Sequence, residues 1–222
     1  MKQKSYAILG LGIFGSTIAK TLSEFNCEVI GIDKDITCVD RVSDFATQAV
    51  QADFTDIDQL RAIGVEDVDV AVVATGTLLE ESIMAILNLK ELGVPYILAK
   101  AKNKLYMQIL LKIGADKVVR PEKEMGERVA KQLLSRNIID MVDIDDEYSI
   151  TELHAPKSWV GKALIDLDLR TKYGVNILGV RKHQGESLKI SPSADYVIEA
   201  EDQLLVIVQN VEFEKFEYLG KL

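Results

Sequence analysis

The stretch Tyr6-Ala7-Ile8-Leu9-Gly10-Leu11-Gly12-Ile13-Phe14-Gly15 decides the fold of this chain. Its apolar first half predicts a buried β-strand, its glycines predict a tight turn, and the residues that follow predict a helix. In this arrangement Gly10 makes the turn, Gly12 lets the backbone approach a diphosphate, and Gly15 lets the helix pack closely on the strand. The N-terminus of the helix then faces the anion, so the motif predicts a nucleotide site.

An acid behind this motif supports the same interpretation. The second predicted strand, 28–32, is followed by Asp33, which lies 18 residues after Gly15. A carboxylate near this spacing accepts hydrogen bonds from ribose hydroxyls, and it would repel the 2′-phosphate of NADP. The alternative is a glycine-tolerant turn that binds no ligand. We expect a nucleotide to be bound by residues of both segments: Gly10, Gly12, Ile13, Phe14, Gly15, Asp33 and Lys34.

Composition limits the class of protein. The chain has 222 residues, of which 48% are hydrophobic, and a formal net charge of -9. This acidity argues against nucleic-acid binding and against contact with anionic lipid. No apolar run reaches the roughly 18 residues of a membrane span. We therefore expect a cytoplasmic protein without direct membrane insertion, in which any membrane contact goes through a protein partner. Cys27 and Cys38 are too few for a disulfide framework.

Strands and helices alternate regularly over the first part of the chain. Strands are expected at 4–9, 28–32, 48–51, 68–74, 96–99 and 117–119. Helices are expected at 13–25, 35–45, 55–64, 78–92, 103–113 and 121–134. Six strands that alternate with helices predict an α/β fold, a Rossmann-like doubly wound parallel sheet.

The rhythm changes near residue 136, where we place the boundary between two domains, 1–136 and 137–222. In the second domain the pattern predicts strands at 148–154, 175–181, 187–190, 195–198 and 203–208, with short helical turns near 161–168. These elements describe a small α+β module. We expect Trp159 to be a packing anchor, and His154 and His183 to be ordinary strand or loop residues.

Several motifs in order carry a family resemblance. The glycine loop is followed by Ala52-Asp53-Phe54-Thr55-Asp56, Val72-Val73-Ala74-Thr75-Gly76, Ala99-Lys100-Ala101-Lys102, Ile113-Gly114-Ala115-Asp116, Pro121-Glu122-Lys123-Glu124-Met125-Gly126 and Leu167-Asp168-Leu169-Arg170-Thr171-Lys172-Tyr173-Gly174. With these motifs the whole chain resembles the cytosolic RCK-domain (TrkA-N/TrkA-C) subunits of bacterial Ktr/Trk-type potassium uptake systems. The resemblance implies an N-terminal nucleotide domain followed by a C-terminal ligand domain.

The resemblance also implies roles for residues of the first domain. Asp33 binds ribose, Asp53 and Phe54 lie against adenine, and Lys100 reaches the phosphates. The backbone of Ala74, Thr75 and Gly76 follows the nucleotide. Glu122 lies near the terminal phosphate of ATP, where it holds Mg or Ca in some members of the family. The other interpretation of Glu122 is a first-turn acid that stabilises the helix after Pro121.

One residue departs from the family pattern. Many Ktr-type members have an arginine where this chain has Ile13. An isoleucine removes a charge-assisted donor to a γ-phosphate, so discrimination of ATP from ADP is in question. Both ATP/ADP and NAD(H) therefore remain candidate ligands, and a nucleotide held mainly for structure is a further alternative.

The C-terminal module resembles domains that bind cyclic di-AMP in some members. The resemblance assigns this ligand to Ile165, Arg170, Asn176, Ile177 and Pro192. A guanidinium and apolar faces suit a cyclic dinucleotide. The alternative is that Ile165 and Ile177 belong to the core and that Arg170 is a surface cation.

The resemblance implies a regulatory subunit rather than an enzyme. It would gate a membrane potassium-translocating subunit as a homodimer that assembles into an octameric ring. The alternatives are a soluble nucleotide and cyclic di-AMP receptor without a channel, and a small NAD-dependent oxidoreductase. Both histidines lie in the C-terminal module, which argues against the oxidoreductase.

Overall fold

The fold is described from a computed structural model, over residues 4–75, 78–134, 137–183 and 185–210, without the side chain of Leu134. The chain divides into two compact units, Met1–Lys123 and Glu124–Leu222. The division falls within a helix, whereas the boundary predicted from the sequence lies after residue 136 and remains a prediction. No helix of the described residues is long and apolar enough to cross a membrane.

A parallel sheet forms the centre of the first unit. Its strands within the described residues are β1 (Ser5–Leu9), β2 (Glu28–Asp33), β3 (Gln48–Gln51), β4 (Val70–Val73), β5 (Tyr96–Lys100) and β6 (Lys117–Val119). Their order across the sheet is β3-β2-β1-β4-β5-β6, and every pair is parallel. This confirms the predicted doubly wound fold. The strand order reverses between β1 and β4, where such sheets form a ligand crevice.

Helices connect these strands, and a further helix follows β6. They are α1 (Ile13–Glu24), α2 (Ile36–Ser43), α3 (Ile57–Ile63), α4 (Leu79–Glu91), α5 (Lys104–Lys112) and α6 (Pro121–Leu134). Asp35, Asp56 and Asn103 begin α2, α3 and α5, and each side chain accepts a hydrogen bond from a backbone N–H of the first turn. These N-caps satisfy donors that the helix itself leaves without partners.

The sheet is buried on both faces, as a parallel sheet requires. Ala7 and Leu9 of β1 pack into one core, which includes Phe54 and Ile97. Ile8, between them, packs into the other core on the opposite face. Since successive strand residues point to opposite faces, a nearly continuous apolar strand serves both cores.

The second unit contains an antiparallel sheet. In its described part the strands are β7 (Ile138–Asp143), β8 (Tyr148–His154), β9 (Val175–Arg181), β10 (Lys189–Ile190) and β11 (Gln203–Gln209), in the order β10-β9-β11-β8-β7. Two short helices, α7 (Leu164–Leu167) and α8 (Leu169–Tyr173), lie between β8 and β9 in the chain. Trp159 is fully buried in the core of this unit, as predicted, with its ring 5.4 Å from that of Tyr173.

Two elements of the second unit differ from the sequence-based expectation. The strand predicted at 195–198 is wrong, because this segment forms only the single bridge Ala163↔Val197. Its backbone bonds to the segment before α7, and Ile198 N–H donates to Lys162 O at 3.0 Å. The strand β7 was not predicted. Its carboxylates Asp140 and Asp143 pair with Arg128 and Lys131 of α6, which an alternation of polar and apolar residues does not reveal.

Candidate functional site

The glycine loop has the geometry that its motif predicts. Gly10 has a φ of +95°, which a residue with a side chain rarely adopts. A Cβ atom at Gly15 would lie 1.9 Å from the carbonyl oxygen of Gly10 and 3.0 Å from the Cβ of Ala74. A Cβ atom at Gly12 would meet nothing within 4 Å. The protein itself therefore requires Gly10 and Gly15, whereas Gly12 faces open space at the start of α1.

The carboxylate of Asp33 ties this loop to the end of β2. Its Oδ2 accepts from the backbone N–H of Leu11 at 2.6 Å, and its Oδ1 accepts from that of Asp35 at 2.9 Å. The backbone N–H of Gly10 donates to Ile32 O at 2.8 Å. Carboxylate oxygens have further lone pairs, so Asp33 can still accept from a ribose hydroxyl.

A cavity of about 650 Å³ opens beside this loop, at the carboxyl ends of the strands. Such a volume suits a small-molecule cofactor. Most of the predicted nucleotide-binding residues line it: Gly10, Gly12, Asp33, Lys34, Phe54, Ala74, Thr75, Lys100 and Glu122. Four lining residues were not predicted: Asp35, Cys38, Glu81 and Lys102.

The remaining predicted residues lie beside the cavity rather than in its lining. Ile13 begins α1 with 86% of its surface exposed, and Gly15 is buried under the loop. The ring of Phe14 lies under the Lys100 ammonium, whose Nζ is 5.7 Å from the ring centroid. Asp53 accepts hydrogen bonds from the backbone and hydroxyl of Thr55. Gly76 lies outside the described residues.

One end of the cavity is rich in carboxylates. We call it the acidic end and define it by Asp33, Lys34, Asp35 and Glu81. Lys34 Nζ lies 3.0 Å from Glu81 Oε1 and 3.2 Å from Asp53 Oδ1. The hydrogen bond to Glu81, followed by that to Asp53, raises the pKa of Lys34 above its ordinary value despite its partial burial. Burial acts to raise the pKa of Asp53, but hydrogen bonds from Thr55 and Lys34 outweigh it and lower that pKa.

The other end carries two lysines. We call it the basic end and define it by Lys100, Lys102 and Glu122. The largely buried Lys100 ammonium pairs with the exposed Glu122 carboxylate in the first turn of α6, and their hydrogen bond lowers the pKa of Glu122. Lys102 Nζ lies 4.7 Å from the ring centroid of Tyr106. The cavity therefore presents acceptors for sugar hydroxyls at one end and cations for phosphate oxygens at the other.

Sequence signals for two of the missed residues do exist. Glu81 occupies the first turn of α4, directly after the carboxyl end of β4, where a helix opens toward the crevice. Lys102 lies two residues after Lys100, within the motif Ala99-Lys100-Ala101-Lys102. Asp35 follows Asp33 by two residues and begins α2, and Cys38 lies one turn further along that helix, which packs against β2.

The side chains around Glu122 determine whether a metal ion could bind there. Within the described residues no three His, Cys, Asp or Glu side chains are grouped to hold a metal. Mg²⁺ is nevertheless often bound by one or two carboxylates together with phosphate oxygens and water. A lone carboxylate at the basic end fits such a role only in company with a nucleotide phosphate.

The residues assigned to cyclic di-AMP all lie in the second unit. Ile165 on α7 is 70% exposed, and Arg170 on α8 and Asn176 on β9 are also exposed. Ile177 packs partly against the core, and Pro192 follows β10. The exposure of the Ile165 side chain argues against the alternative interpretation, in which Ile165 belongs to the core. Binding at these residues remains a prediction.

Comparisons with known proteins match both units. The TrkA-N domain model matches residues 6–121, and the TrkA-C domain model matches residues 150–219. The chain is 40% identical over 215 residues to the Ktr system potassium uptake protein C of Bacillus subtilis, covering 97% of this chain and 96% of the relative. It is 37% identical to the Ktr system potassium uptake protein A of the same organism, covering 99% and 98%.

A solved structure shares the fold of the chain. The GsuK RCK domain is similar with a TM-score of 0.67 at 19% identity, over 100% of this chain and 48% of that one. This likeness supports the fold alone, and the chain spans about half of the GsuK chain. The domain matches and the full-length relatives decide the family. The chain belongs to the TrkA-N/TrkA-C (RCK-domain) family of Ktr/Trk-type potassium uptake proteins.

Proposed function

We propose that this chain is a cytoplasmic regulatory subunit of a potassium uptake system and that it binds an adenine nucleotide in the cavity of its first unit. The observation that carries the proposal is the charge arrangement of that cavity. Asp33 at the end of β2 and Lys100 at the end of β5 lie on opposite sides of the glycine loop, which follows β1. Full-length relatives named as potassium uptake proteins supply the context.

The nucleotide is proposed to lie along the cavity. Its ribose hydroxyls donate to Asp33, and its diphosphate follows Gly12 and the N-terminus of α1. Its last phosphate group reaches Lys100. Since Lys100 already pairs with Glu122, phosphate oxygens compete with that carboxylate for the ammonium.

This competition gives Glu122 a role in the bound state. A carboxylate beside a phosphate is repelled unless a cation lies between them. We propose that Glu122 holds Mg²⁺ or Ca²⁺ together with phosphate oxygens. The ion would supply charge neutralisation there. Glu122 belongs to the first turn of α6, so the ion pair connects the ligand to that helix.

The basic end supports a choice between the candidate nucleotides. Two lysines favour a polyphosphate such as ATP or ADP, which is our first proposal. Ile13 supplies no cation for a γ-phosphate, so NAD(H), with a diphosphate alone, is the second. Regulation requires that the ligand bind one conformation of the assembly better than another.

The proposed assembly places this chain under a membrane potassium-translocating subunit. Homodimers would form an octameric ring, and cyclic di-AMP would bind to the second unit through Arg170, Asn176 and Pro192, beside Ile165 and Ile177. A soluble receptor without a channel has the same sites. Co-purification with the membrane subunit separates these two functions.

A panel of calorimetric titrations tests the proposal. ATP, ADP, NADH and cyclic di-AMP are titrated into the purified full-length chain and into its Asp33→Asn and Arg170→Ala variants. We expect Asp33→Asn to weaken only the ligand of the first unit, and Arg170→Ala to weaken only cyclic di-AMP. Absence of binding by every adenine nucleotide would refute the proposal. Hydride transfer from NADH to a panel of small carbonyl compounds would instead establish an oxidoreductase.

A further inference from the structure

The acidic end of the cavity contains a lysine that is already neutralised. Lys34 follows Asp33 directly in the chain, and its Nζ lies between Glu81 Oε1 at 3.0 Å and Asp53 Oδ1 at 3.2 Å. The ammonium also lies 5.6 Å from the ring centroid of Phe54. The side chain is therefore held at its charged end by two carboxylates.

The main chain of the same residue is fixed as well. The carbonyl oxygen of Lys34 accepts from Gln51 Nε2 at 3.0 Å, which ties the end of β2 to the end of β3. Glu81 belongs to α4, so its contact with Lys34 spans the cavity lining from the β2 side to the helix that follows β4. Lys34 can turn toward a new ligand only by leaving Glu81 and Asp53.

The ion pairs of Lys34 affect whether the cavity can accommodate a phosphate on the 2′ oxygen of the ribose. In dinucleotide-binding folds a cation near the ribose acid accommodates a 2′-phosphate, whereas the acid itself accepts from a free 2′-hydroxyl. A free lysine at position 34 would be such a cation. Here two carboxylates already satisfy it, so a 2′-phosphate would meet Asp33 and Asp35 without a compensating charge.

We propose that Glu81 is a specificity-determining residue, which holds Lys34 in its ion pair and so excludes 2′-phosphorylated adenine nucleotides from the cavity. The inference rests on the proposed nucleotide site and adds the class of ligand that the site rejects. Glu81 acts through Lys34 rather than through the ligand, so it is a positioning residue. Its removal changes how strongly the nucleotide without a 2′-phosphate is preferred, and not only how tightly any nucleotide is bound.

A competition assay measures this preference. A fluorescent ADP analogue is bound to the full-length chain and displaced by adenosine 5′-monophosphate or by adenosine 2′,5′-bisphosphate. The ratio of the two inhibition constants is the readout. We expect the wild-type chain to prefer the monophosphate by at least about tenfold, since like charges face the added phosphate. In Glu81→Gln the ratio of the two inhibition constants is expected to narrow by roughly two- to fivefold, the range for a half-exposed ion pair.

Two further variants isolate the cause. Glu80→Gln makes the same change at an exposed neighbour in the first turn of α4 and is expected to leave the ratio unchanged. Adding Lys34→Gln to Glu81→Gln is expected to restore the wild-type ratio, because the ammonium that Glu81→Gln leaves with Asp53 as its remaining carboxylate partner is then gone. A structural effect would weaken both nucleotides alike and would not move the ratio.

The outcomes separate the two proposals. If the ADP analogue binds but Glu81→Gln leaves the ratio at its wild-type value, the role of Glu81 is refuted and the nucleotide site stands. Equal inhibition by both nucleotides in the wild-type chain refutes it too. If neither the analogue nor ADP binds, the proposed function fails and the inference fails with it.

Discussion

Adding one methyl group at Gly15 is expected to destabilise the first unit strongly. The Cβ of Gly15→Ala would lie 1.9 Å from the carbonyl oxygen of Gly10, against the 3.4 Å of ordinary contact. The glycine loop or the first turn of α1 must therefore move by about 1.5 Å. Such a movement strains the 2.6 Å hydrogen bond from Leu11 N–H to Asp33. Overpacking of this kind costs about 1–3 kcal/mol, and we expect about 3 kcal/mol because the obstacle is backbone.

Thermal unfolding followed by circular dichroism measures this loss. For a unit of this size 3 kcal/mol corresponds to a decrease in Tm of roughly 10 °C. Gly126→Ala is the matched control, since Gly126 also lies inside a helix but its added Cβ would meet nothing within 4 Å. That variant is expected to be more stable than the wild type by about 0.5–1 kcal/mol.

Gly12→Ala completes the comparison, because it tests binding without disturbing the fold. Its Cβ would also meet nothing within 4 Å, so the free energy of unfolding is expected to change by less than about 1 kcal/mol. The methyl group would nevertheless stand where a diphosphate approaches the backbone, and ADP affinity is expected to fall at least about tenfold. A Gly15→Ala variant with the same Tm as the wild type would refute the steric argument. Unchanged ADP affinity in Gly12→Ala would refute the placement of the diphosphate.

Three further predictions follow from individual residues. Burial, followed by the hydrogen bond to Asp202, raises the pKa of Tyr196 to about 12. The stability that this neutral hydroxyl contributes is therefore complete below pH 10 and is lost as the pH rises toward 12, by at most about 1.4 kcal/mol per pH unit. Urea unfolding at pH 8–11 should show this decrease in the wild type and a smaller one in Tyr196→Phe. Asp168 has a φ of +48°, so Asp168→Gly is expected to raise the free energy of unfolding by up to about 1 kcal/mol, which is measured as a higher urea midpoint. A lowered midpoint would contradict this. Lys100→Met is expected to weaken ATP at least tenfold in calorimetry while adenosine binding is retained, and equal losses for both ligands would contradict a phosphate contact.

The first unit was predictable because its local signals agree with one another. Asp35, Asp56 and Asn103 mark the starts of α2, α3 and α5, and a glycine follows the end of α3, α4 and α5, so several helices are marked at their own ends. The same strand–helix unit also repeats along the chain, so no long irregular loop is needed to join one parallel strand to the next. Right-handed crossovers then limit the possible orders of the strands.

The second unit was less predictable because its pairing depends on distant residues. The segment 195–198 has the composition of a strand, yet its backbone donors and acceptors bond to the segment before α7. In β7 the carboxylates of Asp140 and Asp143 interrupt the apolar pattern, and their partners lie on α6. Neither fact can be read from the segment itself.

The candidate site shows the same division. The glycine loop, Asp33 and Lys100 lie at strand ends, where the pattern and the family resemblance lead directly to them. Glu81 reaches the cavity through an ion pair with Lys34, a contact between residues 47 positions apart. Residues that face the ligand have local signals in the sequence, whereas a residue that acts through a distant neighbour does not.

The two hydrogen bonds that Asp33 receives from the backbone have a practical consequence for genetics. The single substitution Asp33→Ala removes both the acceptor for the ribose and the hydrogen bonds that hold the glycine loop. Its growth phenotype would report a disordered loop as readily as a missing ligand contact. An asparagine allele keeps one oxygen acceptor for the backbone, which makes it the better choice for separating signalling from folding in living cells.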